Sequence, residues 1–229
     1  MAALLAHVLP LAVIGALMPT RLAMVAVLLG SHRPRANAIA FSVACTAGYL
    51  AVALLSGVAR TAASRLVGVA PHSLAPLELL LGLGFLAVLA LTLLRRPRSR
   101  TGSSRLAEQL GGIRPQRAAL MGLGLGALSL RNVAVLLEVA TLAVESGLGR
   151  TVLLGMLSLT VLIFSLPMLL PIAAYLLVSD RIMPVLASAR ASLERNAHWI
   201  TVVVTGLLGA YLTARGAIGF FSFSAPGSY

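Results

Sequence analysis

Lysine is absent from this sequence of 229 residues, and all eighteen of its basic residues are arginine. Acidic residues number six, aromatics make up 5%, and charged residues total 10%. A soluble domain carries about 25% charged residues, so this chain has too little charge to clothe a water-facing surface. A single cysteine, Cys45, excludes an internal disulfide. It lies in an apolar run and is expected to pack as a small buried residue. The four histidines, His7, His32, His72 and His198, stand far apart in sequence, so no metal site is expected. No nucleophile–base pair stands out, no cofactor is implied, and the chain is read as non-enzymatic. Gly122, Gly124 and Gly126 imitate part of a nucleotide-binding loop, but they lie inside an apolar segment with no preceding strand. The net charge of +12 is spread between apolar runs, which excludes a basic face for nucleic acid.

What remains is apolar. Hydrophobic residues make up 59% and the mean hydropathy is +0.98. A bilayer core of about 30 Å takes about 20 apolar residues per helix. Six segments qualify: 4–29, 36–58, 75–94, 118–144, 151–178 and 199–220. The expected fold is all-α, a multi-pass membrane protein. No charge precedes Arg21, so the start lacks the basic region of a signal peptide and is expected to be a mature helix.

Arginines in the connections set the orientation. Arg33 and Arg35 follow the first segment. Arg95, Arg96, Arg98, Arg100, Arg105, Arg114 and Arg117 follow the third, and Arg181, Arg190 and Arg195 follow the fifth. The alternate connections hold Arg60, Arg65 and Arg150. The odd-numbered connections are therefore expected in the cytoplasm and both termini outside. Residues 95–117 form a basic, glycine-containing linker, which fixes topology or also meets anionic headgroups. It divides a first three-helix unit, 1–94, from a second, 118–229. Residues 181–196 pattern as an interfacial amphipathic helix.

Two short stretches give those units a common centre. Gly15-Ala16-Leu17-Met18-Pro19-Thr20-Arg21 lies in the first segment and Gly126-Ala127-Leu128-Ser129-Leu130-Arg131-Asn132 in the fourth. Three spans per unit is an odd number, so the second unit is expected to be inverted, a plan that secondary transporters share. Pro19 lacks an N–H and clashes with the preceding turn, so the first segment should break just before Arg21. A guanidinium at mid-membrane costs about 2.5–3.5 kcal/mol on the insertion scale and marks a functional site by default. The alternative is that such charges only satisfy one another and lock the bundle. Glu138 lies seven residues after Arg131, on nearly the same face, too far along the axis for a direct pair. It is expected to reach Arg21, balance charge, or carry a coupling proton. Pro167 and Pro171 predict a second broken helix, so Pro19, Pro167 and Pro171 are candidate hinges. Thr20 and Asn132 are candidate site groups. Glu78 reads as an ordinary helix-start acid. Ser42, Thr46 and Tyr49 read as packing, and Gly82, Gly84, Gly206 and Gly209 as points of close helix approach.

Ala16-Leu17-Met18-Pro19-Thr20-Arg21-Leu22, the Arg33-Pro34-Arg35 turn and Leu128-Ser129-Leu130-Arg131-Asn132 resemble the GAP family. These are glycolipid- or sulfolipid-addressing-type membrane proteins of actinobacteria, similar to the LysE exporter superfamily. The resemblance implies a bacterial plasma-membrane protein that moves an anionic envelope lipid, with Pro19, Arg21, Arg131 and Asn132 central. LysE-type exporters carry a Pro-Gly-Pro element early in the first helix, and Pro19 stands here without it. Two other readings stay open. One is a LysE-type exporter of amino acids or small solutes, with Glu138 binding substrate. The other is a non-transporting accessory subunit of an envelope-lipid exporter. The expected partners are a lipid or small-molecule substrate, and small-residue faces also suit a homodimer or another membrane protein.

Overall fold

The computed structural model describes residues 2–16, 18–66, 75–94, 112–178 and 183–224. These form eight helices, and no strand occurs among the described residues. In order they are α1 (Ala2–Ala16), α2 (Pro19–Leu29), α3 (Pro34–Leu66), α4 (Ala75–Leu94), α5 (Pro115–Ala127), α6 (Leu130–Glu145), α7 (Arg150–Val178) and α8 (Met183–Ser224).

Three helices are long and apolar enough to cross a membrane, over Pro34–Ala62 in α3, Arg150–Leu177 in α7 and His198–Gly219 in α8. Two bent pairs raise the number to five if each is one span. In α4 the apolar stretch, Glu78–Leu94, is shorter. The chain therefore has the make-up of a multi-pass membrane protein.

The bent pairs decide the architecture. Helices α1 and α2 meet at 51°, and α5 and α6 at 52°. At the first break Met18 is extended, with φ −119° and ψ 101°. This is the conformation forced on a residue before proline, and Pro19 then opens α2. The second break has no proline. Gly122, Gly124 and Gly126 lower the helix propensity of α5, and Ser129 turns extended at φ −77° and ψ 104°. In both pairs the second helix begins three residues after the first ends. In that register Arg21 matches Asn132 and Thr20 matches Arg131.

Two expectations are corrected. Helix α7 runs unbroken through Pro167 and Pro171. Membrane helices tolerate proline where neighbours and hydroxyls adjust to the freed backbone groups. Ser165 Oγ donates to the Val161 carbonyl at 2.8 Å, within this stretch. Residues 183–196 are not a separate helix either; they continue into the span as one 42-residue helix, with no glycine or internal proline to interrupt them before Gly206. The linker up to residue 111 and positions 179–182 lie outside the described residues.

Close packing comes from the small residues. A Cβ added at Gly48 of α3 would sit 2.9 Å from the Ala127 nitrogen. Cβ atoms at Gly122 and Gly126 of α5 would strike the carbonyls of Phe41 and Cys45. Backbone therefore lies on backbone where α3 crosses α5. Gly82 of α4 meets Thr213 of α8 in the same manner, and Gly209 and Gly206 of α8 receive Leu86 and Leu89. Gly84 and Gly124 have open space instead. Helix α1 packs on α7, and α3 crosses both α6 and α7. The core that results is built on Phe41, Tyr49, Leu136, Phe164, Met168 and Leu208, all buried. One end of this bundle is tied by Asn37, whose amide nitrogen donates to Ser31 Oγ at 2.8 Å and to the Ile113 carbonyl at 3.1 Å. That contact puts the α2–α3 turn beside the start of α5.

Candidate anion site and charged cluster

Arg21 is the third residue of α2, and the break turns it into the bundle, where it is 2% exposed. Its guanidinium lies over the ring of Tyr49, 4.8 Å from the centroid. None of its three nitrogens has a hydrogen-bond partner among the described residues. A cation–π contact of this kind is worth up to about 2 kcal/mol when desolvated. Bringing a guanidinium out of water costs several kcal/mol. The ring therefore positions the cation without neutralising it, and its N–H donors stay available.

The ring itself is firmly held. Phe164 of α7 meets Tyr49 edge-on, with centroids 5.5 Å apart and planes at 80°. Phe164 in turn fills the space beside Gly15, where an added Cβ would come within 2.5 Å of its ring. One turn before Tyr49, Thr46 Oγ1 and Ser165 Oγ share a hydrogen bond of 3.0 Å. The stack from Gly15 to Phe164, Tyr49 and Arg21 thus joins the break in the first bent pair to the cation.

Arg131 opens the matching half of the second pair. Its Nη2 donates to Thr205 Oγ1 of α8 at 2.9 Å, while its Nε has no partner. It lies within electrostatic reach of Arg21. Asn132 is fully buried and both its amide atoms lack partners. Ser42 Oγ and Tyr49 Oη, also buried, are in the same condition. Thr20 is exposed.

Glu138 is buried at 2% exposure, and it pairs with Arg215 of α8. Tyr211 adds a hydrogen bond of 3.3 Å to the same carboxylate. Glu138 thus meets a cation on its own side of the core, where the sequence suggested Arg21. Arg215 also holds Glu145 at 2.7 Å and lies 3.6 Å from Glu78. Arg60 approaches Glu145 at 4.0 Å. Arg60 is therefore a buried helix residue rather than a cation of a connection, and Glu78 does more than begin a helix. Sequence reasoning missed Arg215, Glu145, Tyr211 and Thr205. Arg215 carried the same signal as Arg21, an arginine within an apolar segment, and Glu145 sits seven residues beyond Glu138 on the same face.

A family model described as Sap, sulfolipid-1-addressing protein, matches residues 8–218. The chain belongs to this family. The match takes in the breaks of both bent pairs, and Arg21, Arg131, Glu138 and Arg215 of this Sap-family protein all lie inside it. The resemblance carried by the Pro19–Arg21 and Arg131–Asn132 stretches led to the same family. No curated protein and no solved structure matches the chain.

Proposed function

We propose that this Sap-family protein is a transporter that moves an anionic envelope lipid across the bacterial plasma membrane, with the headgroup held between Arg21 and Arg131. The observation that carries the reading is the state of Arg21. It is a buried guanidinium held by an aromatic face, with every nitrogen unpartnered among the described residues. A guanidinium fork suits phosphate, sulfate or carboxylate oxygens, and Arg131 supplies a second cation within reach. Asn132 and Tyr49 Oη add uncommitted polar atoms. The lipid tail stays in the bilayer beside the bundle.

The six-span, two-unit plan belongs to this proposal. The paired breaks support it, and so does the part of the packing that exchange of the two units preserves. Helix α3 lies on α5 as α7 lies on α1, while the contacts of α4 with α8 and of α3 with α7 map onto themselves. We place the odd-numbered connections and the basic linker in the cytoplasm and both termini outside.

The test is native mass spectrometry of protein taken gently from its own membranes, wild type beside Arg21→Gln/Arg131→Gln. The expected result is an anionic lipid retained by the wild type and lost from the double variant. Equal retention in both, or no specific lipid in either, overturns the proposal and shifts weight to the small-solute exporter. Lipid movement by the purified protein alone in liposomes separates a transporter from an accessory subunit.

A further inference from the structure

Two arginines within apolar helices, the buried Arg21 and the partly buried Arg215, have opposite surroundings. Arg21 has no counter-ion among the described residues, whereas Arg215 engages three carboxylates on two other helices. The outer members of the charged cluster lie towards one end of the bundle. Arg60 is near the C-terminal end of α3, Glu78 is in the first turn of α4, and Glu145 is the last residue of α6. That end is opposite the one tied by Asn37, since α3 runs from Asn37 to Arg60. From Tyr49, which holds Arg21, to Arg60 is eleven residues of α3, or about 16 Å at 1.5 Å per residue. From Thr205, which holds Arg131, to Arg215 is ten residues of α8, or about 15 Å. Both estimates put the charged cluster the same distance beyond the arginine pair.

The space between is narrow. A cleft lined by Glu78, Ala134, Glu138, Thr141 and Leu212 has a volume of about 10 Å³, room for about one water. Ala134 is one turn past Arg131, and Glu78 and Glu138 belong to the cluster. The cleft therefore lies between the arginine level and the cluster, and it is too small for a headgroup. Helices α3 and α4 come from the first unit, and α6 and α8 from the second. The pairs Arg215–Glu78 and Arg60–Glu145 each cross between the units.

We infer that Arg215 is the latch of an ionic gate that closes this end of the bundle over the Arg21–Arg131 site. Parting the units at this end must first separate Arg215 from Glu78 and Arg60 from Glu145. The inference rests on the proposed headgroup site and concerns access to it. Ion pairs suit such a device because water reaching the opened end solvates the separated charges. An apolar seal of the same area has no comparable compensation.

The chain carries its own reporter. Cys45 is the single cysteine, is fully buried, and lies within electrostatic reach of Arg21. Wild-type and Arg215→Gln proteins are placed in sealed vesicles, and a membrane-impermeant anionic methanethiosulfonate is added from either face. Modification is read by intact mass. The wild type is expected to label slowly from both faces. Arg215→Gln is expected to label at least tenfold faster, and only from the face where α3 ends and α4 begins. Arg215→Glu combined with Glu78→Arg, which restores a pair across the two units, is expected to return most of the protection. Arg215→Gln protein that labels as slowly as wild type, or equally from both faces, overturns the latch. If Arg215→Gln fails to fold, Glu78→Gln carries the same expectation, because it removes the cross-unit partner of Arg215 and leaves the Glu138 pair in place. Lipid retention is scored separately in Arg21→Gln, so loss of the headgroup site and loss of the latch are distinct results.

Discussion

The same substitution, arginine to methionine, is expected to have opposite effects on stability at Arg21 and at Arg215. At Arg21 the folded state carries a desolvated cation whose compensation is the Tyr49 ring. Desolvation costs several kcal/mol and the ring returns up to about 2 kcal/mol. The balance is unfavourable by about 2 kcal/mol. Methionine fills the same space, packs on an aromatic face and needs no partner. Arg21→Met should therefore stabilise the protein by about 2 kcal/mol. At about 2–4 °C per kcal/mol for a chain of this size, Tm rises by about 4–8 °C while headgroup binding is lost. Arg215→Met removes the cation that faces Glu138, Glu145 and Glu78. Breaking a buried pair from one side costs about 3–5 kcal/mol, so Tm falls by about 6–20 °C. The assay is thermal unfolding of detergent-purified protein at one fixed detergent concentration. The reasoning is refuted if Arg21→Met destabilises the protein as Arg215→Met does, because Arg21 would then be a structural charge with a partner.

Three further outcomes follow from the packing and the site. Gly122→Val drives a branched side chain into the Phe41 carbonyl and should cost about 1–3 kcal/mol or more, while Gly124→Ala, with open space around it, removes a helix-weakening glycine and should hold or slightly raise Tm; equal effects at the two positions would contradict the close α3–α5 crossing. Asn37→Ala leaves the fold without its two buried hydrogen bonds, and a loss of about 1–3 kcal/mol is expected in the same melt. Tyr49→Phe keeps the ring beneath Arg21 and should retain the lipid seen by native mass spectrometry. Tyr49→Leu removes the ring and should lose the lipid while the protein stays folded; equal retention in the two variants would show that the π face does not position the cation.

The sequence by itself determined the class of protein, because hydropathy is a local property. Runs of about 20 apolar residues leave a membrane as the only solvent, and the positions of Arg21 and Arg131 within them mark charges that must turn away from lipid, without knowledge of any neighbour. Pro19 likewise located the first break, since its effect acts on the residues beside it. The limits of local reasoning appear in α7, where Pro167 and Pro171 leave the helix continuous within a packed bundle. They appear again at residues 183–196, where a pattern read as a separate helix is the beginning of α8. The tertiary structure alone decided which charges meet. Glu138 goes to Arg215, 77 residues away, because α6 and α8 bring them together towards the same end of the bundle. Arg21 is left to Tyr49, because the break in the first bent pair aims it at α3. A pattern of residue types records the presence of such groups, and only the crossing of helices distant in sequence fixes their partners.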